Sequence, residues 1–418
     1  MGQYNSYKDS GFDWIGKIPS HWGLLKSKYL WRESFSVSQT GKEDLLSVSQ
    51  YDGIMPASGS RSESLVGYKV VEENDLVINI MLAWMGGLGV SRYNGLVSPA
   101  YCVYRLQGEN NPRYMHYLYK TPMYLAEFAR HSTGVIPSRW RMYTDDFGQV
   151  LTLIPPREEQ DAMVAYLDTT TSKIDEAIAQ QQRMIDLLNE RKRIMVSTVL
   201  TKGLDSKSSL KASGIDYLGE IPSHWNVLAL KYIGKVEKAI IDPKELKGKM
   251  VYEYSMPAFD EGRKPQYVPA ENLDSSRLLI SGPTLLINKL NVHKERIWYI
   301  SNPQEISVAS GEFVPVNIYK DDPLFIQYSL LNYRVTDYLI NNSNGATNSQ
   351  KRVSPDVIRS LKLPIPPLDE QKSIVAYLDK VFSPIDEMIA SYESMKDYLL
   401  ERKQIIINDV VTGKVKVV

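Results

Sequence analysis

Short stretches of the sequence contain side chains that could support catalysis, and none of them completes a known catalytic motif. Residues 98–101 (Ser-Pro-Ala-Tyr) approach the proline–aromatic motif of amino-methyltransferases, but they lack the second proline and fall in a predicted strand. Asp242 and Glu245 could suggest a nuclease, yet both crowd into one charged loop. Gly248 and Gly413 precede lysines but lack the upstream glycine of a phosphate-binding loop. We therefore do not expect this chain to catalyse a reaction by itself.

The histidines and the single cysteine do not indicate a metal site. The five histidines are not clustered at metal-ligand spacing, and one cysteine, Cys102, cannot build a structural zinc site. His21 and His224 both occur in an Ile-Pro-Ser-His-Trp motif, and we interpret them as turn and packing residues. The formal net charge is zero, with 49 basic and 49 acidic residues, which neither supports nor excludes a nucleic-acid partner.

The predicted location is the cytoplasm. A lone cysteine excludes an internal disulfide and is typical of a reducing compartment. The first residues lack the basic-then-apolar layout of a signal peptide. No apolar run reaches the roughly 18 residues that a membrane-spanning helix needs.

The Ile-Pro-Ser-His-Trp motif belongs to an internal duplication. Residues 11–22 and 214–225 are identical at eight of twelve positions, and residues 154–168 and 365–379 at ten of fifteen. The offset between the copies grows from 203 to 211 residues between these two anchors. Two collinear anchors are not expected by chance, so the chain consists of two halves. Each half contains the short motif, a variable segment and a helical segment.

The variable segments share a pattern of elements rather than a sequence. Each has short runs with strand composition, then a helix candidate that a proline opens, at Pro112 and Pro323. A polar loop containing a glycine follows, and a last short strand leads into Ile-Pro-Pro. Each variable segment is therefore predicted to form a compact α/β (α+β) domain.

Each helical segment is predicted to contain one short and one long helix. Prolines followed by acidic residues are typical of a first helical turn, and a second start is indicated at Ser172 and Ser383. The predicted helices lie at about 157–169, 173–200, 368–379 and 384–411. The predicted divisions of the chain are 1–153, 154–203, 204–364 and 365–418.

An apolar seam runs along each long helix at matching positions. Its predicted members are Ile174, Ala177, Met184, Leu188 and Met195, and Ile385, Met388, Met395, Leu399 and Ile406. One interpretation is a helix packed only on its own domain. Matched seams of equal length favour two long helices packed on each other, antiparallel if a two-fold axis relates the halves. We therefore predict two globular domains in a pseudo-two-fold arrangement, joined by an antiparallel coiled coil.

The repeated motifs resemble those of the specificity (S) subunit of type I restriction-modification systems. The resemblance rests on Ile-Pro-Ser-His-Trp, on Ile-Pro-Pro with the Glu-Gln and Tyr-Leu-Asp that follow it, and on Glu-Arg-Lys near the end of the long helix. It covers essentially the whole chain and is weak only in the variable segments. It implies that each variable segment is a target-recognition domain reading one half of a split DNA sequence.

The resemblance also implies partners. The helices would set the gap in the bipartite double-stranded target and dock two modification (methyltransferase) subunits, which carry S-adenosylmethionine. Restriction (translocase/nuclease) subunits would join for cleavage that requires ATP and Mg. The chain itself would bind no cofactor and would be a non-catalytic part of the multisubunit enzyme.

Under this resemblance, base-reading side chains are expected on loops that present Arg, Lys, Asn or Gln. The first domain offers Trp84, Arg92, Arg139 and Arg141. The second domain offers Lys289, His293, Lys294, Arg296, Asn348, Gln350, Lys351 and Arg352. Arg141 and Arg352 correspond at the offset of 211, so a shared role such as phosphate contact is expected. Readers of one half-site should instead differ between copies, as Arg139 and Gln350 do. For any one of these residues, a solvated surface charge is the competing interpretation.

Two other function classes stay open. A stand-alone or fused DNA methyltransferase would need a cofactor pocket, for which the sequence has no motif. A coiled-coil protein–protein adaptor would not explain two divergent domains with basic, glycine-containing loops.

Overall fold

The structure is a computed structural model that describes residues 2–50, 53–57, 64–136, 139–345 and 351–417. The chain forms two compact units: residues 1–182 with 393–418, and residues 183–392. Each unit thus contains one variable segment, the beginning of one long helix and the end of the other. In the part of the chain that the structure describes, no helix is both long and apolar enough to cross a membrane.

The first unit is built around an antiparallel sheet. Its strands are β1 (Tyr7–Asp9), β2 (Lys17–Pro19), β3 (Gly23–Lys26), β4 (Trp31–Ser34), β5 (Leu46–Ser49), β6 (Gly53–Pro56), β7 (Lys69–Val71), β8 (Leu76–Asn79), β9 (Leu88–Val90), β10 (Gly95–Val97), β11 (Tyr101–Leu106) and β12 (Leu151–Ile154). Its helices are α1 (Pro112–Tyr119), α2 (Pro122–Arg130), α3 (Thr144–Gln149) and the start of α4 (Arg157–Lys202). The central sheet has the order β4-β11-β8-β9, and β12 pairs with β3.

The second unit repeats this plan and adds a larger sheet. Its strands are β13 (Leu210–Ala212), β14 (Glu220–Pro222), β15 (Asn226–Ala229), β16 (Gly234–Val236), β17 (Ile240–Ile241), β18 (Met250–Tyr254), β19 (Gln266–Pro269), β20 (Arg277–Ile280), β21 (Thr284–Asn288), β22 (Ile297–Ile300), β23 (Ser307–Ala309), β24 (Phe313–Ile318) and β25 (Lys362–Ile365). Its helices are α5 (Leu230–Ile233), α6 (Met256–Asp260), α7 (Pro323–Leu330), α8 (Tyr333–Asn341), α9 (Pro355–Ser360) and the start of α10 (Leu368–Val411).

The two units share one architecture, which agrees with the predicted duplication. The second central sheet, β16-β24-β21-β22, has the strand order of the first, and α7 to α9 lie 211 residues after α1 to α3. A five-stranded sheet, β17-β20-β23-β18-β19, occurs beside it in the second unit. In the described part of the first unit, that position in the chain holds the two-stranded pairs β5–β6 and β7–β10.

Both long helices are continuous, so the predicted breaks near Ser172 and Ser383 are wrong. Pro384 lies inside α10, where it removes one backbone N–H donor. Buried side chains continue along one stripe on both sides of this proline, namely Leu378, Phe382 and Ile385. Capping signals are local preferences of about 1 kcal/mol, and packing over several turns overrides them.

The two long helices pack against each other and run antiparallel. In the first unit, Lys403 Nζ donates to both carboxylate oxygens of Asp175, at 2.7 and 2.8 Å. Lys396 Nζ donates to Gln182 at 2.5 Å. Residue numbers fall along α10 as they rise along α4, which requires opposite directions. The predicted antiparallel coiled coil is confirmed.

The second unit contains the equivalent contact. Lys192 Nζ on α4 donates to Asp386 on α10 at 2.5 Å and lies 4.7 Å from the centre of the Phe382 ring. Lys192 and Asp386 are the counterparts of Lys403 and Asp175 at the offset of 211. The same register of the two helices therefore occurs in both units.

The seam between the helices includes polar residues that the apolar pattern does not predict. Met184, Met388 and Met395 are exposed and lie outside it, while Ile185, next to the first of them, is buried. The remaining predicted members are buried or half-buried: Ile174, Ala177, Leu188, Met195, Ile385, Leu399 and Ile406. Half-buried lysines fill several seam positions, with aliphatic stems inside and ammonium groups bonded across, as at Lys396 and Lys403. A prediction from apolar residues alone therefore misplaces three of the ten seam residues, Met184, Met388 and Met395.

Candidate nucleic-acid interface

Each Ile-Pro-Ser-His-Trp motif binds the first turn of a long helix within its own unit. In the first unit, the Trp22 indole N–H donates to Glu159 Oε2 at 3.1 Å, and His21 Nε2 lies 2.5 Å from Glu159 Oε1. The Tyr4 hydroxyl donates to the same carboxylate at 3.0 Å. Burial, and then the neighbouring Glu159 charge, raise the pKa of Tyr4. The glutamate at the helix start is therefore the anchor of this motif.

The second unit has the same joint. The Trp225 indole N–H donates to Glu370 Oε1 at 3.1 Å, and His224 Nε2 lies 2.8 Å from Glu370 Oε2. Both histidine side chains are about half exposed, at 47% and 48%, and they contact the helix through this polar bond rather than by the predicted packing. The glycine that ends the other long helix packs on each tryptophan, Gly413 on Trp22 and Gly203 on Trp225.

The glutamine after each of these glutamates holds the variable segment to its helix. Gln160 Oε1 accepts from the backbone N–H of Asn111, the N-cap of α1, at 2.7 Å. Gln371 Oε1 accepts from the backbone N–H of Asp322, the N-cap of α7, at 2.8 Å. Both glutamines are 1% exposed, so each bond is shielded from water.

The aspartate that closes the repeated motif makes a third contact. The Tyr117 hydroxyl donates to Asp168 at 2.6 Å, and the Tyr328 hydroxyl donates to Asp379 at 2.5 Å. Burial, and then the bond to Asp379, raise the pKa of Tyr328. Both aspartates are identical in the two copies of the sequence motif. Their tyrosine partners lie 51 residues away, so the sequence did not predict these bonds.

The first pair of equivalent loops, called hairpin loops below, comprises residues 80–87 and 289–296. The first joins β8 to β9 and the second joins β21 to β22, so both contain eight residues between equivalent strands. Each follows a buried asparagine, Asn79 or Asn288, whose side chain bonds the loop backbone. Each contains a short 3-10 helix, Ala83–Met85 or Val292–Lys294.

The second pair, called bridge loops below, comprises residues 133–141 and 344–352. An isolated antiparallel bridge closes each loop, Thr133 with Arg141 and Asn344 with Arg352. Gly134 is the second residue of the first loop and has φ 157°, and an added Cβ there would meet the Arg139 carbonyl oxygen at 2.5 Å. The predicted correspondence of Arg141 with Arg352 thus extends to the backbone pairing of both loops.

Hairpin and bridge loops lie side by side in each unit. The residue that follows each bridge loop bonds the first residue of the hairpin loop. The Met142 N–H donates to the Ile80 carbonyl at 2.9 Å in the first unit, and the Val353 N–H donates to the Lys289 carbonyl at 2.9 Å in the second. Trp84 of the first hairpin loop stacks edge-on against Trp140 of the bridge loop, with ring centres 5.3 Å apart. Each unit therefore presents one composite loop surface.

Most of the predicted DNA-contacting residues lie on these composite surfaces. Arg139, His293, Lys294 and Arg352 are exposed, and Trp84, Arg141, Lys289 and Lys351 are half-buried. The Arg352 guanidinium bonds Glu312 at 2.6 Å, and that of Arg141 bonds the Trp140 carbonyl at 3.1 Å. Asn348 and Gln350 lie outside the residues that the structure describes.

Two predicted residues have other surroundings. Arg296 is 5% exposed and forms a two-bond ion pair with Asp260, at 2.7 and 2.5 Å, so its guanidinium has a partner inside the protein. The prediction of Arg296 as a base reader is therefore corrected to a structural role. The sequence did not indicate this ion pair because Asp260 lies 36 residues away along the chain. Arg92 lies 3.5 Å from Asp168 and lines a groove of about 890 Å³ between α1 and the long helices.

Comparison with known proteins gives a family match in the second half. Residues 222–391 match the family model of the type I restriction modification DNA specificity domain. This half is therefore similar to type I specificity domains. The resemblance expected from the repeated motifs is confirmed, and the first unit repeats the joint and the paired loops of the matched segment.

Individual relatives agree with the family match. The chain is 27% identical over 281 residues to the putative type I restriction enzyme MjaX specificity subunit of Methanocaldococcus jannaschii, covering 63% of this chain and 59% of the relative. It is 27% identical over 291 residues to the MjaVIII specificity subunit of the same organism, covering 65% and 63%. The match therefore spans about three fifths of these relatives. A chain solved in work on complex assembly and conformational transition of the type I R-M system has the same fold, with TM-score 0.67, 13% identity and coverage of 95% and 99%.

Proposed function

We propose that this chain is the DNA-specificity subunit of a type I restriction-modification complex, in which each unit binds one half of a bipartite target. The main support for the proposal is that the two units share one backbone architecture but differ in the side chains that their loops expose. Equivalent hairpin and bridge loops are held by the same backbone bonds, yet their exposed side chains differ between the units. A protein that reads two different half-sites needs this combination of equal geometry and unequal chemistry.

The proposed partners include two modification subunits that dock on the long helices. An exposed apolar stripe occurs once in each unit, formed by Met184, Leu187 and Ile194 on α4, and by Met395, Tyr398 and Ile405 on α10. These side chains are 41–64% exposed, and each stripe residue lies 211 positions from its counterpart. Exposed apolar side chains at helical spacing are typical of a surface that receives another helix. Two equivalent stripes would bind two copies of one partner.

Catalysis belongs to the partners in this proposal. The modification subunits would supply S-adenosylmethionine and the methyl transfer to adenine. Restriction subunits would supply ATP- and Mg-dependent translocation and cleavage. The present chain would contribute the choice of DNA sequence and would act inside the cell.

Co-expression with the modification subunit encoded beside it, followed by purification and methylome sequencing, tests the proposal. The expected result is a complex with two modification subunits that methylates adenines in one split sequence. Methylation by this chain without a partner would favour the methyltransferase alternative. A stable complex that neither binds DNA nor methylates it would favour the adaptor alternative.

A further inference from the structure

The two equivalent hairpin loops carry opposite side-chain chemistry. Residues 80–87 read Ile-Met-Leu-Ala-Trp-Met-Gly-Gly and contain no charged group. Residues 289–296 read Lys-Leu-Asn-Val-His-Lys-Glu-Arg and contain five charged or titratable groups. Loop length, the asparagine that precedes the loop and the backbone bond to the residue after the bridge loop are the same in both units. The difference therefore lies in what each loop contacts rather than in how it is held.

The first hairpin loop displays apolar side chains to solvent. Met81, Leu82 and Met85 are 37%, 39% and 41% exposed on a single turn. In the adjacent bridge loop, Val135 and Ile136 are also exposed. Burying such groups against a partner is favourable, whereas leaving them in water gives no benefit to folding.

The backbone beneath these side chains is held in place. Lys120 Nζ donates to the Gly86 carbonyl at 2.9 Å and to the Gln50 carbonyl at 2.6 Å. Gly86 has φ 85°, a conformation that favours glycine, and an added Cβ at Gly87 would meet Leu82 at 2.7 Å. The apolar side chains therefore stand on a preorganised turn, as a specific contact surface requires.

The surroundings of the apolar turn indicate an anionic partner with apolar groups. Arg139 is exposed on the neighbouring bridge loop, and the half-buried Arg141 closes that loop. Duplex DNA presents phosphates beside the major groove, and its one apolar group there is the thymine C5 methyl. In the second unit, the exposed His293 and Lys294 at the equivalent turn are hydrogen-bond donors that suit guanine N7 and O6.

We infer that the first unit reads its half-site by apolar contact of Met81, Leu82 and Met85 with thymine methyl groups, whereas the second unit reads its half-site through the donors His293 and Lys294. The inference rests on the proposed function and specifies how each half-site is discriminated. It assigns opposite modes of readout to two loops with the same backbone.

The inference is tested by measuring how the complex of this chain with its modification subunits binds DNA that lacks thymine methyl groups. The probes are duplexes of the sequence found by methylome sequencing, with deoxyuridine in place of thymidine in one half-site at a time. Deoxyuridine keeps base pairing and hydrogen bonding and removes only the methyl group. We expect the dissociation constant to rise about fourfold per contacted methyl in one half-site, since burial of one methyl(ene) group has that effect. The other half-site should be insensitive.

Protein variants identify which unit makes the contact. The M81A/M85A variant should bind normal DNA more weakly and should no longer distinguish thymine from uracil, as a double-mutant cycle requires for contacting groups. The K294A variant should keep the full response to uracil. Val66→Ala, which shortens an exposed apolar side chain elsewhere in the first unit, is the matched control and should change neither quantity.

Equal affinity for all uracil probes, or a uracil response that survives in M81A/M85A, would overturn the inference and leave the proposed function intact. A complex that binds no split sequence would overturn the proposed function itself. Measurement of overall binding before the uracil series therefore separates the two failures.

Discussion

Lys403 on α10 binds Asp175 on α4 through both carboxylate oxygens, at 2.7 and 2.8 Å. The second unit repeats this contact between Lys192 and Asp386. A slip of the helices by one heptad would separate such partners by roughly 10 Å, since each residue adds about 1.5 Å along the helix. The two ion pairs therefore mark one specific register of the long helices.

Reversal of one charge in this pair should weaken the helix pairing. Asp175→Lys places two cations together, and we expect the free energy of unfolding to fall by about 0.5–1 kcal/mol, the usual range for partly exposed pairs. Adding Lys403→Asp should restore the lost stability. Urea unfolding measures both changes, with Glu176→Lys on the same helix as the control. A double variant no more stable than the single one would contradict the assigned contact.

Gly413 occupies a position where a side chain is excluded by both conformation and space. Its φ is 77°, and an added Cβ would meet Pro19 at 2.6 Å and Trp22 at 2.8 Å. Gly108 has nearly the same φ, 79°, but no heavy atom within 4 Å of an added Cβ. Gly413→Ala should therefore cost about 1–3 kcal/mol more than Gly108→Ala, because only the first adds steric overlap to backbone strain. Equal losses in thermal or urea unfolding would show that Trp22 yields without cost.

His116 should make the stability of the chain depend on pH. Burial, followed by the charges of Arg113, Lys120 and Arg92, lowers the pKa of His116 from 6.5 to about 3. Its Nδ1 accepts the Val90 N–H at 3.1 Å, which requires that this nitrogen carry no proton. Between pH 6.5 and 3 the unfolded chain binds the proton more tightly, so stability is full above 6.5 and falls as the pH falls.

The expected loss from His116 is roughly 1–2 kcal/mol at pH 5, as linkage predicts for a partly accessible ring. His116→Asn cannot titrate and should lack this component of the pH dependence. Unfolding of both proteins between pH 5 and pH 8 measures the difference. Parallel pH profiles for the two proteins would rule out His116 as the source.

The exposed stripes should each bind one modification subunit. Leu187→Glu places a charge in the α4 stripe, and Tyr398→Glu does so in the α10 stripe. Because desolvation of a carboxylate opposes apolar docking, each variant should retain one modification subunit, and the double variant none. Native mass spectrometry gives the stoichiometry. Asn189→Glu, exposed on another face of α4, should retain two; loss of both subunits in that control would point to general disruption of the helices.

The length of the helices should set the gap in the target. Insertion of four residues after Glu190 should lengthen the unread gap without changing the bases read. A single insertion also shifts α4 against α10, so matched seven-residue insertions after Glu190 and Glu387 are the sharper variant, since seven residues preserve the heptad pattern. Methylome sequencing reads the gap directly. An unchanged gap in a folded, active variant would contradict the role of the helices as a spacer.

The sequence predicted the features that appear twice in it. The duplication, the two α/β domains, the long helices and their antiparallel pairing follow from repeated motifs and matched apolar positions, because those patterns are local in the chain. The same comparison aligned Arg141 with Arg352, and the structure pairs both with the equivalent residue across a bridge loop. The sequence also shows that one hairpin loop is apolar and the other is basic. It does not show that the two loops are structurally equivalent.

The tertiary structure decided which residues meet. Pro384 lies inside a continuous helix because buried side chains on both sides of it pack in the core. Lys396 lies in the seam because its ammonium group donates a hydrogen bond to Gln182 on the other helix. Arg296 forms an ion pair with Asp260 in another element and is therefore not part of the candidate DNA-contacting surface. Sequence patterns express the preferences of neighbouring residues. Packing, ion pairing and the meeting of hairpin with bridge loops depend on segments that only folding brings together.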